Sequence, residues 1–358
     1  NNLEQFINNL IKSGRPVVAP AKENNLPRLW RDKPTLRQAQ GGEASAGSAL
    51  EFTERRSRTA YQLVNSFTEV YLDLPFPTKS AKEYFLADCE KILFYKFGPA
   101  GKVELQDADN PKELILFGVR PCEAVSYPIM DKVFSWDTHD NFYLKRREKN
   151  PVISVACEKC DNFCFCTSVG VTPQTTEGSD IFLQKTKKGN YLVDAITDKG
   201  KKLVEEHKNL FTQSGHEELI DFKGPEIKFD LKKIKSWLEK NFDHPLWEKI
   251  SLPCIGCGIC TFLCPNCHCF DIVDQANLKE GSRCKMWDAC QFRTFTVHAS
   301  GHNPRETQSK RFRQRIEHKF NYYPDKFGRT LCVGCGRCIR HCPTNMSLLE
   351  TLIKIDKL

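Results

Sequence analysis

The chain has 358 residues, 40% of them apolar and 27% charged, and 53 Lys and Arg against 45 Asp and Glu leave a net charge of +8. Such a length suits about two domains with real cores, and the composition is that of an ordinary soluble protein. No apolar run approaches the ~18 residues of a membrane-spanning helix. The mixed stretch from Asn1 to Val18 is no secretory signal, so a reduced, cytoplasmic setting is expected.

The spacing of apolar residues predicts a helix over Leu3 to Ile11 and an irregular stretch to about residue 35. Residues 38–49 are small and polar and read as a flexible insertion. Cys89 stands alone in what reads as a helical stretch and suits core filling. Leu114–Val119 and Pro151–Ala156 are short apolar runs followed by turn signals, the pattern of buried strands. Gly189-Asn190 predicts a hairpin. Leu231 to Phe242 reads as an amphipathic helix ended by His244-Pro245, and a last helix is expected over Ser347 to Leu358.

Eight of the eighteen cysteines form two copies of one pattern. They are Cys254-Ile-Gly-Cys257-Gly-Ile-Cys260-Thr-Phe-Leu-Cys264-Pro265 and Cys332-Val-Gly-Cys335-Gly-Arg-Cys338-Ile-Arg-His-Cys342-Pro343. This is the run that holds 4Fe–4S cubanes in bacterial two-cluster ferredoxins. Three thiolates two residues apart wrap three corners of one cube, and the fourth cysteine leaves the loop to ligate the other cluster. Cys254, Cys257, Cys260 and Cys342 are therefore assigned to one cubane, and Cys332, Cys335, Cys338 and Cys264 to a second. Zinc sites use two separated cysteine pairs, and disulfides need an oxidising compartment, so neither accounts for the pattern. Gly256, Gly258, Gly334 and Gly336 let the backbone approach the cluster.

The fold class expected is α+β. An α/β-type domain over 1–245 precedes a ferredoxin-like dicluster domain over 246–358. Residues 265–331 separate the two motifs, far more than a minimal ferredoxin needs. A helical insertion over 270–330 is expected, with helices around Cys284–His298 and Asn303–Phe320.

Cys122 follows one predicted strand, and Cys157, Cys160, Cys164 and Cys166 follow the other. Strand ends are where α/β proteins build sites, so a third 4Fe–4S cluster is expected, with five thiols for four places. Cys267, Cys269, Cys284 and Cys290 read as packing beside the clusters, with a further metal site or thiol pair as the alternative. The cations from Arg305 to Lys319 read first as a solvated helix face, then as a charge that raises a nearby cluster's potential, and last as a nucleic-acid contact. No dinucleotide fingerprint, phosphate loop or serine elbow is present. His268, His298, His302, His318 and His341 form no zincin pattern.

The chain resembles a family of iron–sulfur electron-transfer proteins that includes the beta subunit of sulfhydrogenases and a component of anaerobic sulfite reductase. The resemblance runs from about Leu114 to Pro343. It rests on Phe117-Gly-Val-Arg-Pro-Cys122, Cys164-Phe-Cys166-Thr-Ser-Val-Gly170, Cys264-Pro-Asn-Cys267-His-Cys269-Phe-Asp271, Trp287-Asp-Ala-Cys290, Gly301-His-Asn-Pro-Arg305, Arg313-Gln-Arg315 and His318-Lys-Phe320. It implies Cys122, Cys157, Cys164 and Cys166 as ligands of the third cluster, with Cys160 spare. It further implies an anaerobic electron-transfer role between two partner subunits. One is catalytic, hydrogenase-like or sulfite-reductase-like, and the other is flavin- and NAD(P)-dependent. Two rivals are a reductase that uses the surplus cysteines itself and an iron–sulfur nucleic-acid binder. The ranking favours no catalytic residue in this chain and no nucleic-acid partner.

Overall fold

The computed structural model describes residues 2–22, 59–73, 76–108, 113–213, 215 and 217–358; the insertion expected at 38–49 lies outside them. Two apolar runs build its centre. Strands β5 (Ile115–Val119) and β6 (Val152–Val155) are buried along their whole lengths and pair in parallel, as continuous apolar runs do when both faces of a sheet are covered. Strands β1 (Val17–Lys22) and β7 (Ile181–Lys185) flank them in parallel. Antiparallel β2 (Thr59–Val64) and β8 (Tyr191–Ala195) close the edges, giving the order β2-β1-β5-β6-β7-β8. Gly189, at φ 85°, lies in the turn from β7 to β8, as the Gly-Asn pair predicts.

Successive side chains of a strand point to opposite faces. Ile115 and Phe117 pack with Phe6, Ile7 and Leu10 of helix α1 (Asn2–Lys12). Leu116, and Val119 beyond the register irregularity after Phe117, pack on the other face with Tyr127, Met130 and Phe134 of α2 (Ser126–Phe134) and Tyr143 of α3 (Asn141–Lys149). Leu203 of α4 (Asp198–Glu206) joins the first layer. Mixed helices and sheets make the chain α+β.

The insertion between the motifs departs from the helical expectation. It opens with a hairpin, β9 (Phe270–Ala276) and β10 (Glu280–Trp287), followed by a single helical turn at Arg293–Thr296, and turns helical only from Gln308. The Asn277 side-chain oxygen accepts from the N–H groups of Lys279 (2.8 Å) and Glu280 (2.9 Å) and closes the turn. β10 then pairs with β3 (Cys89–Phe97), itself paired to β4 (Val103–Asp107), in a second sheet ordered β4-β3-β10-β9. Cys89 therefore begins a strand and is exposed, not core filling. Lys285 of β10 is buried against Glu90 of β3 (3.2 Å) and Asp140 (2.7 Å), ahead of α3. A buried ammonium requires such partners, and here they tie the second sheet to the first.

The rest of the C-terminal half is helical. α5 (Leu231–Lys240) is capped by Asp230, α7 (Gln308–Glu317) by Thr307 and α8 (Leu348–Asp356) by Ser347. The Thr307 hydroxyl accepts from Lys310 N–H, so the helix expected from Asn303 starts at Gln308. It continues through a wider turn over His318–Tyr322. Ile234, Leu238, Phe312, Ile316, Phe320, Leu352 and Ile355 share one core with Trp247 of α6 (Leu246–Ser251).

Candidate iron–sulfur centres

Each motif folds as a loop that ends in a single helical turn, Ile259–Phe262 in the first and Arg337–Arg340 in the second. The residue before each turn is a glycine in the left-handed region, Gly258 at φ 74° and Gly336 at φ 72°, a conformation that side-chain-bearing residues resist.

The loops bring the predicted thiols together across the motifs. Cys254, Cys257, Cys260 and Cys342 line one cavity. Cys264, Cys332, Cys335 and Cys338 line another. The fourth cysteine of each motif thus faces the first three of the other. Cys338 and Arg315 line both cavities, so the two sites share a wall. Among the described residues, no three Cys, His, Asp or Glu side chains converge tightly enough for a single ion. A cubane makes a different demand, one thiol at each of four separate iron corners.

Burial pushes the Cys332 thiol up to about 12 and Cys338 up to about 11. These sulfurs hold their protons until a metal displaces them, so cluster assembly releases protons. Cys264 is the exception. A hydrogen bond from Cys267 and the cations of Lys319, Arg315 and Lys82 hold it well below the usual thiol range. Gln308 donates to Cys254 Sγ at 3.2 Å, and Lys319 Nζ to Cys264 Sγ at 3.3 Å. Sulfurs that accept such bonds, and a buried Arg315 Nε with no partner, fit an anionic cluster in this place.

Cys122 lies just past the end of β5, and Cys157 just past β6, at the same end of two paired parallel strands. Burial first, then Cys335 and Cys157, push the Cys122 thiol well above the usual range, and burial first, then Cys157, pushes Cys166 up to about 12. Cys164 is turned toward Asp161, whose carboxylate accepts from its thiol at 3.4 Å. Asp161 is also paired to Arg340 at 2.5 Å. Cys122, Cys166 and Cys335 pack against one apolar cluster that holds Val333 of the second motif, which links this group to that motif.

Four other cysteines have distinct places. Cys267 is buried beside Cys264. Cys269 and Cys290 form a hydrogen-bonded pair in which Cys290 is held down to about 6, first by Cys269. Cys284 is buried in β10, 3.7 Å from Ser282 Oγ. His268 and His318 stack edge to face at 5.5 Å, and burial pushes them down to about 4 and about 3.

The basic run is not a solvated face throughout. Arg311, Arg315 and Lys319 are buried. They recur every four residues, the spacing of one helix face, with Phe312, Ile316 and Phe320 beside them. That double periodicity was the readable signal of an inward-facing charged stripe. Lys82 and Glu123, also buried beside the thiols, carried no such signal.

The model of a 4Fe–4S dicluster domain matches residues 253–346, the whole span of both motifs. A curated relative, sulfhydrogenase 2 subunit beta of Pyrococcus furiosus, is 31% identical over 308 residues, covering 82% of this chain and 88% of that protein. The chain belongs to the sulfhydrogenase beta-subunit family. Iron–sulfur electron transport within an oxidoreductase is the chemistry that this family and the dicluster domain bring to it. No solved structure matches the chain. Among the described residues of this family member, no helix is long and apolar enough to cross a membrane.

Proposed function

We propose that the chain relays single electrons through three 4Fe–4S clusters between two partners in an anaerobic oxidoreductase complex, one catalytic and the other flavin- and NAD(P)-dependent. The observation that carries this reading is the contiguity of the three thiol groups. Cys122, Cys166 and Cys335 pack against one apolar cluster, and Cys338 lines the cavities of both motif sets. The ligands follow as Cys254, Cys257, Cys260 and Cys342; Cys332, Cys335, Cys338 and Cys264; and Cys122, Cys157, Cys164 and Cys166. Residues 1–245 would then carry the third cluster on an α/β domain, and residues 246–358 the ferredoxin-like pair.

Bound cubanes exchange single electrons with little rearrangement. The chain's own residues hold the thiols, exclude water and donate hydrogen bonds to sulfur. Ile255 and Cys257 are exposed, so the loop of the first motif offers one end of the series to a partner. Anaerobic iron analysis tests the reading. About twelve irons per chain are expected from three cubanes; about eight would remove the third. Purification of the native complex should recover a nickel–iron or sirohaem protein together with a flavoprotein.

A second reading, substrate reduction by this chain itself, draws on the Cys269–Cys290 pair. Reductase activity of the isolated, cluster-loaded chain with an artificial donor would support it. The nucleic-acid reading loses ground, because Arg311, Arg315 and Lys319 face inward.

A further inference from the structure

Arg315 is only 4% exposed, lies on α7 and lines the cavities of both motif sets. Its Nη2 donates to the Cys260 carbonyl at 3.1 Å, and its Nε is buried without a partner. The charges that bear most on it are thiols of both sets and their neighbour, namely Cys260, Cys338, Cys267 and Cys264. One helical step onward, Lys319 is 2% exposed and donates to Cys264 Sγ and to the Leu331 carbonyl.

Two other buried cations near the thiols have carboxylates of their own, while Lys82 donates to the Cys267 carbonyl and Arg120 to that of Ala156. Arg337 pairs with Glu123 at 2.6 Å, and Arg340 with Asp161 at 2.5 Å. Among the described residues, neither Arg315 nor Lys319 makes an ion pair with a carboxylate. A buried charge without a countercharge is costly, so these two cations need the anionic sulfurs they face, Cys264 above all, and the cluster those sulfurs would hold.

We infer that Arg315 is the shared countercharge of the two motif clusters and raises the reduction potential of both, while Lys319 raises that of the Cys264-ligated cluster alone. The inference rests on the cluster assignment proposed above. A thiolate-bound cubane is anionic and gains one more negative charge on reduction, so a fixed buried cation favours the reduced form. A guanidinium keeps its charge at any working pH. Arg315 and Lys319 are positioning residues in this scheme, since they act on the clusters' energies and ligate nothing.

The test is an anaerobic potentiometric titration of the full, cluster-loaded chain, read by low-temperature spin resonance. The Arg315→Gln chain should lower the midpoint potentials of both motif clusters, each by at least tenfold in the reduction equilibrium (about 59 mV for one electron). Arg315→Lys should recover most of that shift. Lys319→Gln should lower one potential and leave the other unchanged, which keeps the inference exposed should Arg315→Gln fail to load iron. Unchanged potentials in a fully loaded Arg315→Gln chain, or equal shifts of both clusters in Lys319→Gln, would overturn it. Absence of cubane signals from the unsubstituted chain would instead overturn the cluster assignment.

Discussion

Gly334 lies directly against Cys166. A β-carbon at Gly334 would stand 2.5 Å from both the α-carbon and the amide nitrogen of Cys166, and the Gly334 carbonyl accepts from Phe165 N–H at 2.9 Å. The glycine of the second motif is therefore also the surface on which the Cys164–Cys166 loop rests.

Gly334→Ala tests this contact. The residue sits at φ 63°, which alone costs a side-chain-bearing residue about 1 kcal/mol, and its neighbour is backbone that cannot rotate away. Unfolding stability should fall by more than that amount, and iron content should drop by about four atoms per chain as the third group separates. Full iron with native spin-resonance signals would show that the contact is dispensable.

In the proposed third cluster, Cys160 and Cys164 are the alternatives for one ligand place. Cys164→Ser should lower iron content by about four atoms per chain, and Cys160→Ser should leave it unchanged. The reverse result would assign Cys160 to the cluster and leave Cys164 to its hydrogen bond with Asp161.

Glu123 and Arg337 form a fully buried pair, and Ser80 also donates to Glu123. Removing one member of such a pair leaves the other charge uncompensated. Glu123→Ala should destabilise the chain by about 3–5 kcal/mol in denaturant unfolding, and the double substitution Glu123→Ala with Arg337→Met should recover part of that loss. A single substitution without effect would mean that Arg337 is compensated elsewhere.

His268 and His318 give the stability a pH dependence of known sign. Both are neutral when folded, because burial depresses them to about 4 and about 3, while unfolded histidine titrates near 6.5. Their neutral burial carries no penalty above pH ~6.5. Below it the unfolded chain binds more protons, and stability falls by about 1.4 kcal/mol per pH unit and per histidine down to the folded values. His318→Gln should flatten the slope of stability against pH in this acid range. An unchanged slope would mean that His318 is solvated.

Much of the site was legible because its rules are local. The cysteine spacing predicted two motif sets, and in the structure the four thiols of each line a cavity, with Cys338 on both. The buried strands at Leu114–Val119 and Pro151–Ala156 were readable for the same reason: continuous apolar residues have only one economical environment. The part of the insertion around Cys284 was misread because β9 and β10 carry no strong strand signal of their own. Their hairpin is stabilised by pairing with β3, from the opposite end of the chain, and by the buried Lys285–Glu90 contact.

By itself, then, the sequence determined the iron–sulfur chemistry, the glycine turns and the central strands, since each depends on residues within a few positions of one another. The tertiary structure alone decided that Cys122 and Cys335 pack against one apolar cluster, that Cys164 turns to Asp161, and that Arg315 and Lys319 face inward without carboxylates. Those relationships depend on which surfaces meet and what is left buried there. Proximity and desolvation belong to the packed chain, and no spacing along it encodes them.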